Sequence, residues 1–183
     1  MSEAFANIYT DNDYYSLPEN VRAELIDGQI YYMEAPSRIH QEILVFLFKK
    51  IADYIEQKRG NCKVYPAPFA VQLFEDNDRN VVEPDISIIC DQNKLTDRGC
   101  TGAPDWIIEI ISPSTSSHDY IRKLNLYAAA GVKEYWITNP INQSVYVYFL
   151  EKDRFKTVAY TFQDKIKVNI YHDLWIDFAE LAL

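Results

Sequence analysis

Glu83-Pro84-Asp85-Ile86-Ser87-Ile88-Ile89 and Trp106-Ile107-Ile108-Glu109-Ile110-Ile111 are two short apolar runs, each interrupted by carboxylates. Runs this short and this rich in isoleucine read as central strands covered on both faces. Proline cannot donate to a central ladder, so Pro84 belongs at a strand start. Asp85 then stands at the mouth of an apolar strand, where it is either an exposed strand-end residue or is paired or metal-bound. Glu109 is flanked by isoleucine on both sides. A buried carboxylate is costly unless compensated, and either a divalent cation shared with Asp85 or a structural Lys or Arg would compensate it.

Working outward, Ala23-Glu24-Leu25-Ile26-Asp27-Gly28-Gln29-Ile30-Tyr31-Tyr32 has the signature of a β-hairpin turning at Asp-Gly. Residues 9–19 read as a short helix ending near Pro18. Ser37 is a helix N-cap, and apolar residues at helical spacing from Ile39 to Ile55 predict a long helix stopped at Gly60. Strands are expected at residues 63–65, 69–74, 84–90, 105–111, 134–138, 144–150 and 155–160, with residues 75–80 and 92–102 as polar connectors. A second helix is expected over residues 114–130, closed by Gly131. Residues 166–183 should hold a short strand and a short final helix. This order predicts an α+β domain, a mixed β-sheet flanked by helices, with no linker to divide residues 1–183.

On the second helix, Asp119, Lys123 and Tyr127 share a face at i, i+4 and i+8. The plain reading is a solvated face with an Asp–Lys pair. The functional one brings Lys123 to the carboxylates, where it would orient water or stabilise developing charge. Glu24 reads as a surface residue before a turn, and His40 as a lone helical histidine.

Composition narrows the field. The 183 residues are 48% apolar and 25% charged, ordinary for a globular domain. With only five glycines, and no Walker, Rossmann, G-x-S-x-G or H-E-x-x-H pattern, nucleotide-cradling loops and the common hydrolase and zinc-protease sites are not expected. The start shows no signal-peptide pattern, and no apolar run is long enough to span a bilayer. Cys62, Cys90 and Cys100 fit no zinc spacing and read as reduced thiols of a cytoplasmic protein. The net charge of −9 argues against strong non-specific DNA affinity, though not against metal binding.

Taken in order, Glu24-Leu25-Ile26-Asp27-Gly28, Pro36-Ser37 with His40, Glu83-Pro84-Asp85-Ile86-Ser87, Ala103-Pro104-Asp105 with Glu109 and Ser112-Pro113-Ser114-Thr115, and Asp119 with Lys123, Tyr127, Gly131-Val132 and Glu134-Tyr135-Trp136 resemble a large bacterial restriction-endonuclease family. This family, formerly a domain of unknown function, belongs to the PD-(D/E)XK nuclease superfamily. The resemblance spans nearly the whole chain. It implies a restriction-endonuclease-like fold and a Mg²⁺ or Mn²⁺ site held by Asp85, Glu109 and the carbonyl of Ile110. It also implies catalytic roles for Asp85, Glu109, Lys123 and Glu24, with His40, Asp119 and Tyr127 supporting the pocket. The family's lysine two residues after the second carboxylate is replaced by Ile111, and Lys123 on the following helix is the substitute. The expected activity is metal-dependent hydrolysis of DNA phosphodiesters by a cytoplasmic homodimer. The competing readings are a catalytically silent nuclease-fold protein with a binding or regulatory role, and an acidic structural domain whose carboxylates pair with Lys and Arg.

Overall fold

The computed structural model describes residues 7–112, 117–151 and 154–183, with residues 117–120 and 151 described by backbone alone. The hairpin forms as its sequence dictates. Strand β1 (Ala23–Ile26) pairs antiparallel with β2 (Gln29–Tyr32). Asp27 and Gly28 carry positive φ of 51° and 76° at the turn, the primed-turn geometry that suits Asp-Gly. A side chain at Gly28 would also strike Ile8, 2.7 Å from the position of a Cβ.

The short helix α1 (Asp11–Tyr15) precedes the hairpin, and the long helix α2 (Arg38–Lys58) follows it. Ser37 caps α2 by accepting from the His40 backbone N–H. The helix closes one residue earlier than Gly60 suggested: Arg59 takes the left-handed conformation, and Gly60 N–H bonds back to the Ile55 carbonyl.

Two six-stranded sheets then assemble. The first has the order β2-β1-β5-β4-β8-β7, with β4 (Ala70–Phe74), β5 (Asn77–Val82), β7 (Leu95–Thr96) and β8 (Gly99–Thr101). The second has the order β12-β11-β10-β9-β6-β3. Its strands are β3 (Lys63–Pro66), β6 (Ile86–Ile89), β9 (Trp106–Ile110), β10 (Glu134–Asn139), β11 (Ser144–Glu151) and β12 (Arg154–Thr161). Both are mixed: β4 runs parallel to β8 and β9 parallel to β10, while the other pairings are antiparallel. A small third sheet pairs β13 (Lys165–Lys167) with β14 (Trp175–Asp177), and a 3₁₀ turn follows at Phe178–Glu180.

Three expectations are corrected. Much of residues 75–80 is strand rather than connector: β5 begins at Asn77 and pairs with β4. The unbroken polar run that made it look like a loop lies largely at the open start of the strand, where Asp78 and Arg79 are exposed. The connector over 92–102 likewise contains β7 and β8. Gly99 is what lets β8 lie against β4, because a Cβ there would sit 2.0 Å from the Ala70 carbonyl oxygen. Lastly, Cys62 and Cys90 are joined in a disulfide instead of being free thiols. The β3–β6 register pairs Lys63 with Ile89, and one step further out it sets the two cysteines opposite each other. Cys100 remains a buried free thiol, its pKa pushed up to about 11 chiefly by burial.

Helix α3 (Ser117–Ala130) crosses between the parallel strands β9 and β10, as parallel neighbours require. The start expected at Ser114 lies outside the described residues. Gly131, at φ 92°, ends the helix. The second sheet is covered on both faces. One face packs with α2 and the C-terminal segment around Trp106, Trp136 and Phe178. The other packs with the first sheet and α3 around Ile107, Tyr127 and Tyr135. This double coverage explains why β6 and β9 are apolar almost throughout. Among the described residues, no helix is long and apolar enough to cross a membrane.

Candidate active site

Strand register creates the site. Ile86 pairs with Ile108 in the antiparallel β6–β9 ladder, so one step outward Asp85 and Glu109 face each other from neighbouring strands. Asp85 Oδ2 accepts from the Ile110 backbone N–H at 2.7 Å and contacts His40 Nε2 at 3.1 Å. His40 Nδ1 is buried without a partner, so the tautomer protonated on Nε2 satisfies this bond.

Glu109 points to the face covered by α3, where the crossover has delivered Lys123 and Tyr127. Lys123 Nζ donates to Glu109 Oε1 at 2.9 Å, and Tyr127 OH donates to the same oxygen at 2.7 Å. Lys123 also donates to Glu24 Oε1 at 2.9 Å. Glu24 belongs to the first sheet, and its Oε1 further accepts the Glu83 N–H at 3.0 Å. The lysine therefore clamps one carboxylate from each sheet.

Glu24, His40, Asp85, Glu109, Lys123 and Tyr127, drawn from five separate elements or strand ends, thus converge, all of them buried. The side chain of Asp119 lies outside the described residues. All of the converging residues except Tyr127 line a cavity of about 280 Å³. Ile110 lines it too.

Burial dominates the electrostatics. The pKa of Glu109 is pushed up to about 7, first by burial and then by the nearby Asp85 and Glu24 charges, with Lys123 and Tyr127 pulling the other way. Burial by itself would lower the pKa of Lys123, but Glu109 and Glu24 outweigh it and hold the ammonium charged. Burial, then Glu109 and Glu24, raise Tyr127 well above the ordinary phenol. A raised carboxylate pKa means the folded state binds the proton more tightly than the unfolded state, so stability falls as pH rises between about 4.5 and 7. In chelator, the stability of wild type relative to Glu109→Gln should therefore drop as pH goes from 5 to 8, by up to about 3 kcal/mol. Paired urea titrations at each pH measure this, and a pH-independent difference would contradict it.

Among the described residues, no group of three or more His, Cys, Asp and Glu side chains is placed to hold a metal. Mg²⁺ does not require one: it is held by one or two carboxylates, with water and substrate oxygens completing its shell. Asp85 and Glu109 offer carboxylate oxygens of that kind, and the protein hydrogen bonds described above fall on Oδ2 of Asp85 and Oε1 of Glu109. The residues present fit the ion.

Several cavity residues were not legible from sequence. Arg22 donates to Glu83 at 3.2 Å, and Glu83 also accepts from Tyr14 OH at 2.7 Å. Arg122 donates to Tyr31 OH and lies over that ring. No local pattern marks these residues, because their partners are 61, 69 and 91 positions away.

Two carboxylates thus oppose each other on adjacent strands of a mixed sheet, and Lys123 bridges one of them, Glu109, to a third, Glu24. Residues 11–179 match the Uma2 family, described as "Putative restriction endonuclease", and the chain belongs to that family. The fold is similar to that of the crystal structure of a "putative nuclease belonging to DUF820" from Anabaena variabilis, at TM-score 0.76 and 22% identity, covering 94% of this chain and 96% of that one. The uncharacterized protein slr1290 of Synechocystis sp. is 31% identical over 105 residues, 57% of this chain. The matched stretch spans 53% of that relative's length.

Proposed function

We propose that this protein is a metal-dependent endonuclease that hydrolyses DNA phosphodiester bonds. The observation that carries this reading is the opposition of Asp85 and Glu109 at the cavity, with Lys123 against Glu109. Mg²⁺ or Mn²⁺, when bound, supplies Lewis-acid polarisation of the phosphodiester and lowers the pKa of a water. Asp85 and Glu109, with the Ile110 carbonyl, would hold the ion. His40 and the Ile110 N–H orient Asp85, and Tyr127 orients Glu109. Lys123 places a fixed positive charge where the phosphate becomes more negative, and Glu24 keeps that ammonium in place.

A non-catalytic nuclease-fold role is favoured by one observation: Lys123 is already held by two carboxylates in a chain of net charge −9. Calorimetric titration with Mg²⁺ and Mn²⁺, run beside a plasmid-nicking assay, decides between the two. Metal binding with nicking supports the nuclease. Metal binding without nicking on any DNA form supports the silent reading, and no binding at millimolar metal removes the site.

Homodimerisation belongs to the same proposal, since cutting both strands of a duplex takes two sites. Strand β12 ends the second sheet, and the cross-strand pair Leu150 and Phe155 is 45% and 44% exposed there. Light scattering after size exclusion should give a dimer at micromolar concentration, and Leu150→Glu should shift it to monomer. A wild-type monomer throughout that range would remove the dimer.

A further inference from the structure

The β1–β2 register decides what else faces the cavity. Glu24 is paired with Tyr31, and opposed residues of an antiparallel ladder project from the same face. Tyr31 therefore stands on the cavity side of the hairpin, next to the carboxylate that holds Lys123. Its hydroxyl accepts from Arg122 Nη1, and its ring carries the Arg122 guanidinium 5.2 Å from the centroid. Arg122 lines the same cavity and is exposed.

The cations of the cavity wall, Arg22, Arg122 and Lys123, are held in different ways. Lys123 Nζ lies 2.9 Å from both carboxylate oxygens of Glu24 and from Glu109 Oε1. An ammonium has three N–H donors, so carboxylates engage them all and the lysine offers a substrate its charge alone. Arg22 is turned to Glu83 through Nε and Nη2. Arg122 is held by a neutral ring and hydroxyl, which fix the guanidinium without cancelling its charge. A planar guanidinium fixed on an aromatic face is well suited to the paired oxygens of a phosphodiester. Lys123 is the next residue of α3 and touches Glu109, so a phosphate held by Arg122 brings its strand beside the carboxylates. A duplex carries its phosphates on the outside, and an exposed arginine can meet one with every base still paired.

We infer that Arg122 binds a backbone phosphate of the DNA, with Tyr31 as the positioning residue that holds the guanidinium at the cavity. The inference rests on the nuclease reading and names a residue that grips its substrate.

The test is fluorescence anisotropy of the full chain with a fluorescein-labelled DNA duplex, at fixed Ca²⁺, which takes the same hard oxygen ligands. Binding is measured between about 50 and 200 mM salt, because the slope of affinity against salt counts the phosphates neutralised. Arg122→Gln should weaken binding by about tenfold or more and make the slope shallower by about one. Tyr31→Leu leaves the charge but removes its holder, and should weaken binding by about twofold to fivefold with the slope kept. An unchanged slope in a folded Arg122→Gln would overturn the inference whatever its affinity, since a merely structural arginine leaves the number of phosphate contacts as it was. An unchanged Tyr31→Leu would remove the positioning role. Should Arg122→Gln not fold, Arg122→Lys decides: it keeps the charge without the fork and should bind at least about threefold more weakly, and unchanged affinity would overturn the inference. If wild type still nicks plasmid in any of these cases, the nuclease reading survives. If wild type binds metal but no DNA, both fall.

Discussion

Replacing Lys123 with methionine should cost about 3–5 kcal/mol of stability, the range seen when one partner of a buried ion pair is removed. Methionine nearly matches the lysine stem in volume, so little cavity is made. What is lost is the ammonium that donates to Glu24 and Glu109, both buried and 2.9 Å away. Two carboxylates from different sheets then face each other without a cation between them. Urea denaturation at pH 8 in chelator is the measurement, and the loss should grow as pH rises past about 7, where wild-type Glu109 gives up its proton; without Lys123, which lowers that pKa, the variant's Glu109 holds its proton to a higher pH. At pH 5 Glu109 binds a proton and much of the loss should disappear. Saturating Mg²⁺ should also restore part of it, since a cation between Asp85 and Glu109 offsets the missing charge. A loss below about 1 kcal/mol at pH 8 would show that Lys123 is not what compensates these carboxylates.

Replacing Asp85 with alanine should abolish metal binding in the calorimeter and lower nicking by about a thousandfold or more, because metal polarisation of a phosphodiester is worth several kcal/mol. Stability should move less, because two effects oppose each other. Asp85 stands at a strand start, and its removal unpairs His40 Nε2 and the Ile110 N–H, but it also relieves the negative potential that raises Glu109. The useful signature is the separation: metal affinity and cleavage lost together, with a cooperative melt kept. Retained millimolar-or-better Mg²⁺ affinity in Asp85→Ala would move the site elsewhere.

The local elements were largely legible because their signals are local. Asp27-Gly28 needs only its own φ angles to turn a hairpin, Ser37 needs only a backbone N–H three residues on, and α2 needs only its apolar spacing. Glu109 inside an isoleucine run likewise announced a compensated carboxylate. Identity of the compensating group was open between a divalent metal ion and a Lys or Arg, and the structure puts Lys123 against it. Where local signals were weak, as in β5, β7 and β8, polar strand ends looked like loop, since pairing partners and not composition make them strands.

By itself, then, the amino-acid order determined the hairpin, the long helix and the apolar central strands, and it singled out Glu24, His40, Asp85, Glu109, Ile110, Asp119, Lys123 and Tyr127, of which the side chain of Asp119 lies outside the described residues. Only tertiary structure decided that the others meet. Register sets Asp85 against Glu109, the α3 crossover lowers Lys123 and Tyr127 onto the second sheet, and the approach of the two sheets brings Glu24 to the same ammonium. The Cys62–Cys90 bond and the Arg122–Tyr31 wall were equally out of reach of sequence. The physical reason is common to all of them: each depends on distances between segments 14 to 99 residues apart, and those distances follow from which faces bury together, a property of the assembled core and of no single stretch within it.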